Sequence, residues 1–143
     1  MMSSMPLTVA AMILAERLIR EEKTNKVSII GSFTDLGGKS FPLGLFSFSI
    51  YVCLFGDGIK GEHTFELRAE YQDGQPATLP SPVTGKPTFQ SLPGTNEVCV
   101  NFNNYVFPRP GLVWFVFSVD GAELARRHLH LTQASPPQEG HNA

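Results

Sequence analysis

The sequence predicts an all-β domain, an antiparallel two-sheet β-sandwich of the immunoglobulin-like or jelly-roll-like kind with about eight strands. Short segments alternate between apolar and polar residues, turn signals recur roughly every 8–12 residues, and no long helical stripe stands out. A chain of 143 residues can form one domain that buries a core without disulfides or metal ions.

The segment 110–131 gives the strongest signal for this fold. Asp120-Gly121 separates two strand-like runs, and this dipeptide favours a type I′ hairpin turn, which requires positive φ at both central positions. The first run, 112–119, is apolar on both faces, as is typical of a central or interface strand. We expect one of its faces, together with one residue of the returning strand, to belong to the core: Val113, Phe115, Phe117, Val119 and Leu129.

The hairpin register predicts a β-bulge. Uninterrupted pairing from the turn would bury His128 opposite Val113. One extra residue within 125–127 restores the hydrophobic pattern and places Trp114 opposite His128. The opposite face then carries a candidate partner surface, which we call the Trp114 face: Leu112, Trp114, Val116, His128 and His130. Either another part of the chain or a partner must cover such a patch.

Three further segments alternate with period two and are predicted strands: 45–55, 63–71 and 96–102. Asn103-Asn104 predicts a bend, and the proline-rich segment 75–87 predicts an irregular crossover, because proline cannot donate to a central ladder. The first of these strands is expected to direct five apolar side chains to the core: Phe46, Phe48, Ile50, Val52 and Leu54.

Segment 7–20 is ambiguous between helix and strand. Leu7, Leu14 and Leu18 fit a helical stripe. The following segment 27–36 has the pattern of a strand, however, and the loop at 23–26 would join two strands into a hairpin, which favours a strand for 7–20.

The chain ends carry little apolar surface. We expect a loose N terminus over 1–6 and a disordered tail over 132–143, which leaves 7–131 as the single β-sandwich domain.

Composition narrows the possible partners. The formal net charge of -2 gives no electrostatic reason to expect nucleic acid or an anionic membrane, and no apolar run has the length of about 18 residues that a membrane span needs. Charged residues make up 17% of the chain and eleven residues are Phe, which predicts a protein partner or self-association. The apolar N-terminal run lacks a preceding positive charge, so we predict a cytoplasmic protein.

Two stretches together resemble a bacterial family of small β-sandwich domains that has no assigned function. The first is Ala15-Glu16-Arg17-Leu18-Ile19, followed by 26–33. The second is Val100-Asn101-Phe102, then Pro110-Gly111 and the hairpin through 119–125. The resemblance extends over about residues 7–131. It implies a strand over 11–19 and implies no catalytic residues.

One arrangement resembles a metal site. His128 and His130 are two residues apart, so on a strand both imidazoles project to the same face. A third ligand would have to come from His63, Glu66 or Glu70. The acidic residue that follows His-x-His in the cupin motif is absent from this stretch, and we predict no metal and no cofactor.

The predicted function is therefore a non-catalytic binding or assembly module, not an enzyme, that acts through the Trp114 face on a protein partner or a second copy of the chain. One alternative is a metal-dependent or hydrolytic enzyme that uses His128 and His130. The other is a carbohydrate-binding sandwich, which would need Trp114, Tyr105 and Tyr51 to form an exposed aromatic row.

Overall fold

The structure is a computed structural model, and it describes residues 7–56, 61–77, 83–85, 88–89 and 94–134. Eight of its strands have four or more residues, in agreement with the prediction. The strands in chain order are β1 (Thr8–Arg20), β2 (Val27–Ser32), β3 (Asp35–Gly38), β4 (Leu43–Gly56), β5 (Gly61–Glu62), β6 (Phe65–Tyr71), β7 (Val83–Gly85), β8 (Thr88–Phe89), β9 (Gly94–Phe107), β10 (Gly111–Val119) and β11 (Ala122–Gln133).

Two sheets form the predicted sandwich. The first sheet has the order β2-β1-β4-β9 and the second has the order β3-β11-β10-β6-β7, while β5 and β8 form a short separate pair. All pairs are antiparallel except β3 with β11, which is parallel. A single apolar core joins side chains of the two sheets. No helix among the described residues is long and apolar enough to cross a bilayer.

Segment 7–20 forms a strand, as favoured, because β1 hydrogen-bonds to neighbours on both sides. Its first part pairs with β4 and its last part pairs with β2. The prediction of one continuous strand over 27–36 is wrong, because this segment is divided between β2 and β3. The chain crosses from the first sheet to the second at Phe33 and Thr34, whose backbone groups bond to Leu14 and His130 respectively.

The hairpin of β10 and β11 confirms the bulge argument. Asp120 and Gly121 have φ values of 50° and 84°, as a type I′ turn requires. The extra residue is Leu124, one position before the predicted range, because Ser118 pairs with Glu123 and Phe117 pairs with Ala125. From there the register is as predicted, with Val113 opposite Leu129 and Trp114 opposite His128. All five residues predicted for this part of the core are buried.

The core prediction for β4 is correct for four residues and wrong for Phe46, whose exposed fraction is 84%. Leu45 packs against the core, whereas Phe46 and Ser47 are both exposed, so the inward alternation shifts by one residue. The paired strand β9 shifts at the same place, where Asn103 and Asn104 are both exposed and Asn104 has φ 53°. The predicted bend is therefore a change of phase within a continuous strand.

The boundaries of the domain differ slightly from expectation. β11 continues to Gln133, two residues past the predicted end, because Thr132 and Gln133 pair with Gly37 and Gly38 of β3. Residues 1–6, the tail from 135 onward and much of the predicted crossover at 75–87 lie outside the described residues.

Candidate interaction surface

The Trp114 face lies on the outside of the second sheet, as the register predicted. The indole N–H of Trp114 donates to the side-chain oxygen of Gln72. The ring of His128 meets the indole edge-on at a centroid distance of 5.9 Å, and the Arg126 guanidinium lies 5.7 Å from the ring centre. Three neighbours of the same chain therefore hold Trp114 in place.

Val116, at the centre of the Trp114 face, is fully buried within the single chain. It lies in register between Arg68 of β6 and Arg126 of β11. Arg68 forms ion pairs of 3.5 and 3.6 Å with Glu66 and Glu70. Long aliphatic stems with charged ends can cover apolar surface in this way. The charged side chains of neighbouring strands thus supply the cover that the two-sided apolar strand needs.

The three candidate histidines do not lie together. His130 is exposed and its Nδ1 lies 3.5 Å from Asp35, near the start of β10, where His130 pairs with Leu112. His63 lies beside the opposite end of β10, since its Nδ1 is 2.7 Å from Asp120. The nine residues of β10 separate its two ends by about 26 Å, so His63 cannot share an ion with His128 and His130. In the part of the chain that the structure describes, no three His, Cys, Asp or Glu side chains are placed to hold a metal ion.

The aromatic residues considered for carbohydrate binding lie on different surfaces. Trp114 lies outside the second sheet, and Tyr51 lies on the outer side of the first sheet. Tyr105 points inward and packs against Phe48 and Phe107. The three rings do not form a row.

The first sheet carries the exposed apolar surface of the described residues. All four large hydrophobic side chains that are exposed there belong to β1, β4 or β9: Ile19, Phe46, Phe55 and Val106. Phe46 and Val106 lie close together on the outer side, because Gly44 pairs with Val106 two residues before Phe46. Sequence reasoning missed this surface because it assigned Phe46 to the core.

The β1–β2 hairpin folds over the outer side of the first sheet. Ala11, Cys53 and Glu97 form one row across β1, β4 and β9, and in a flat strand Arg20 would lie about 30 Å from that row. Instead, Arg20 Nη1 lies 3.4 Å from Glu97 and bonds to the backbone oxygen of Asn25 at 2.9 Å. The hairpin must therefore bend back across β4.

The bend encloses a small polar cluster. Tyr51 donates its hydroxyl hydrogen to Glu97, and burial together with this hydrogen bond raises the pKa of Tyr51 well above its ordinary value. Arg20 Nη2 lies 3.8 Å from the Cys99 sulfur, and partial burial raises the pKa of the Cys99 thiol. A raised pKa keeps both groups protonated at neutral pH. The cluster thus fastens the hairpin and does not present an activated nucleophile.

The open edge of the first sheet is β9, a strand of 14 residues. The other edge strands are shorter, with six residues in β2, four in β3 and three in β7. Natural edge strands are usually protected by shortness, lysine, proline or bulges. β9 contains no Lys, Arg or Pro, and Glu97 is its single charged residue. We call its unpaired side, over residues 96–104, the β9 edge.

Comparisons with known proteins show a family and a fold. A family model described as a family of unknown function, DUF6941, matches residues 10–132. A comparison with curated proteins gives no match. Among solved structures, the chain is similar to Pseudomonas fluorescens alkylpurine DNA glycosylase AlkC bound to DNA containing an abasic site analog, with a TM-score of 0.53 and 8% identity. The match covers 88% of this chain and 30% of that protein, so the likeness concerns the fold alone.

Proposed function

The chain belongs to this family of unknown function, and we propose that it is a non-catalytic assembly module that binds a second copy of itself through the β9 edge. One observation carries the proposal: the longest edge strand of the sandwich has no strand on its outer side among the described residues and contains no Lys, Arg or Pro. Two such edges can satisfy each other by adding strand to strand.

The composition of β9 suits antiparallel pairing with itself. Pairing centred on Val100 places Val98 opposite Phe102 of the second copy and Glu97 opposite Asn103. Apolar side chains then meet apolar ones, and the single charge meets a neutral amide. A two-fold axis makes every such contact occur twice.

The exposed fractions of the core side chains also support self-association through the β9 edge. Val98, Val100 and Phe102 each retain 8% exposure, whereas the neighbouring Ile50 and Val52 of β4 retain none. A second β9 would cover these side chains and continue the apolar layer from one sandwich into the next. The exposed Phe46 and Val106 lie next to this edge and would extend the contact.

The Trp114 face is a weaker candidate for the same role. Its central apolar residue is already covered, and Trp114 is already hydrogen-bonded to Gln72. A partner on this face would have to displace ion pairs that the chain makes with itself.

We also propose that the protein is located in the cytoplasm of bacteria. Its two free cysteines support this location, because free thiols accord with a reducing compartment.

Charge substitutions at Asn103 test the proposal. Asn103 is exposed, so the fold should tolerate a charge there. Asn103→Glu would set two glutamates opposite each other at both ends of the paired edge and should shift the self-association to the monomer. Asn103→Lys would pair with Glu97 of the second copy and should preserve or strengthen association.

The measurement is molar mass by sedimentation velocity and light scattering over a wide concentration range. Ser28→Glu, on the opposite edge of the same sheet, is the matched control and should leave the mass unchanged, as should Trp114→Glu. A wild-type chain that remains monomeric at all concentrations would contradict the proposal. So would equal dissociation by the two Asn103 variants, or dissociation by Trp114→Glu alone.

A further inference from the structure

Arg127 is an arginine that faces the inside of the sandwich. It pairs with Phe115, which is buried in the core, and Leu129 and Leu131 on the same side of β11 are buried as well. Its neighbours Arg126 and His128 face outward. The position of Arg127 therefore follows from the register, in which the bulge at Leu124 turns alternate residues of β11 towards the core.

The guanidinium of Arg127 has no partner among the described residues. Its Nε is buried without a hydrogen bond, although the residue as a whole is only partly buried. By contrast, the exposed Arg109 reaches Asp73 at 2.8 Å. Buried charges in proteins are normally paired, because leaving water without a compensating partner is costly. Arg127, which is partly buried and has no acidic partner among the described residues, can therefore bind an anion that enters from solvent.

A cavity of about 340 Å³ lies next to this guanidinium. It opens where the chain crosses from the first sheet to the second, between β1, the β2–β3 connection and β11. Its walls combine three apolar side chains with two hydroxyls and the arginine: Ile13, Leu14, Phe33, Ser32, Thr34 and Arg127. The volume falls in the range of small-molecule sites, which are mainly apolar with a few placed polar groups.

We propose that this cavity, the Arg127 cavity, binds a small organic monocarboxylate with an apolar body. The planar guanidinium can hold a carboxylate with two parallel N–H donors. The hydroxyl of Ser32, which lines the same cavity, can add a donor, whereas the hydroxyl of Thr34 already donates to Asp35 at 3.2 Å. The apolar part of the ligand then contacts Ile13, Leu14 and Phe33. One guanidinium balances one negative charge, which favours a carboxylate over a doubly charged phosphate. This inference does not depend on assembly through the β9 edge.

The test is an NMR titration of the full chain with hexanoate and phenylacetate, each compared with its neutral amide. We expect saturable shifts at Ser32–Thr34 and at the Arg127 side chain with both carboxylates, and at least about tenfold weaker binding of hexanamide and phenylacetamide, since the charged hydrogen bonds are lost. Inorganic phosphate, titrated in parallel, should bind more weakly than either carboxylate.

Arg127→Met should lower carboxylate affinity by at least about tenfold, and Arg126→Met, the adjacent arginine on the outer face, should leave it unchanged. Arg127→Lys is the second variant, which keeps the charge but loses the two-donor plane and should also bind weakly. Equal binding of acids and amides would overturn the proposal. It would also be overturned if Arg127→Met or Arg127→Lys bound as the wild type does, if phosphate bound more tightly, or if neither carboxylate bound.

Discussion

The two sheets differ in what covers the apolar residues of their outer surfaces. On the second sheet the apolar strand β10 is covered by charged side chains from β6 and β11, whose ion pairs hold their aliphatic stems over Val116. On the first sheet charges are few, and cover comes from the β1–β2 hairpin that Arg20 fastens to Glu97. That hairpin leaves Phe46 and Val106 exposed next to the longest open edge.

One outer surface is thus covered by side chains of the same chain, whereas the other keeps apolar groups exposed. The outer face of the second sheet needs no cover from outside, because Val116 is buried there and the flanking Arg68 and Arg126 pair with glutamates of the same chain. The first sheet retains exposed apolar groups and an edge whose hydrogen-bonding groups face outward. An apolar strand is therefore a poor guide to a binding face unless its neighbours are known, and the site should be sought where the chain leaves its own surface uncovered.

The largest expected effect contrasts two phenylalanines on β4. Phe48 is buried and packs against Phe102, Tyr105 and Phe115, so Phe48→Ala should lower the free energy of unfolding by about 3–5 kcal/mol. Phe46→Ala should change it by less than about 0.5 kcal/mol, because that ring is exposed. Urea unfolding at low protein concentration measures both. A similar loss for the two variants would mean that Phe46 belongs to the core.

A smaller effect tests the cover of the second sheet. Arg68→Ala removes both the stem over Val116 and the ion pairs with Glu66 and Glu70, and should lower the free energy of unfolding by about 1 kcal/mol. Arg68→Met keeps an apolar stem of similar reach and should cost much less, since exposed ion pairs contribute little. Thermal unfolding of the two variants distinguishes these outcomes. Equal losses would show that the ion pairs, and not the stem, stabilise this face.

The smallest effect concerns the turn at Asp120. Its carboxylate bonds to His63 and to the backbone N–H of Thr64, and these contacts hold its pKa below the ordinary value of 3.8. A lowered folded-state pKa means that the stabilisation is present above the unfolded-state value and is lost as the pH falls through the folded-state value. Asp120→Asn, which tolerates the same positive φ, should therefore be less stable than the wild type at neutral pH, with the gap closing in acid. A gap that stays constant down to strong acid would contradict this.

Much of this architecture could be predicted from the sequence. Alternation and the Asp-Gly turn predict the hairpin, and the need to bury Leu129 instead of His128 predicts its bulge. The same register also turns Arg127 inward, so the alternation of inward and outward residues along β11 was enough to identify it as an inward-facing arginine. Phe46 could not be placed correctly, because β4 looks regular by itself and only the pairing of β4 with β9 connects Phe46 to the bend predicted at Asn103-Asn104.

The open edge was beyond sequence reasoning for a related reason. Period-two patterns say which face of a strand is apolar, but they do not say which strands are neighbours. Only the observed strand order places β9 at an edge, and only the contact of Arg20 with Glu97 reveals that the hairpin folds over the first sheet.

Amide hydrogen exchange along β9 distinguishes a chain that pairs with a second copy from a monomer with an open edge. If a second copy pairs with the β9 edge, alternate amides over 96–104, those that point away from β4, should become protected as protein concentration rises, while amides at the edges formed by β2 and β3 should not change. Protection along β9 that is independent of concentration, or that appears instead on strands of the Trp114 face, would contradict pairing through the β9 edge.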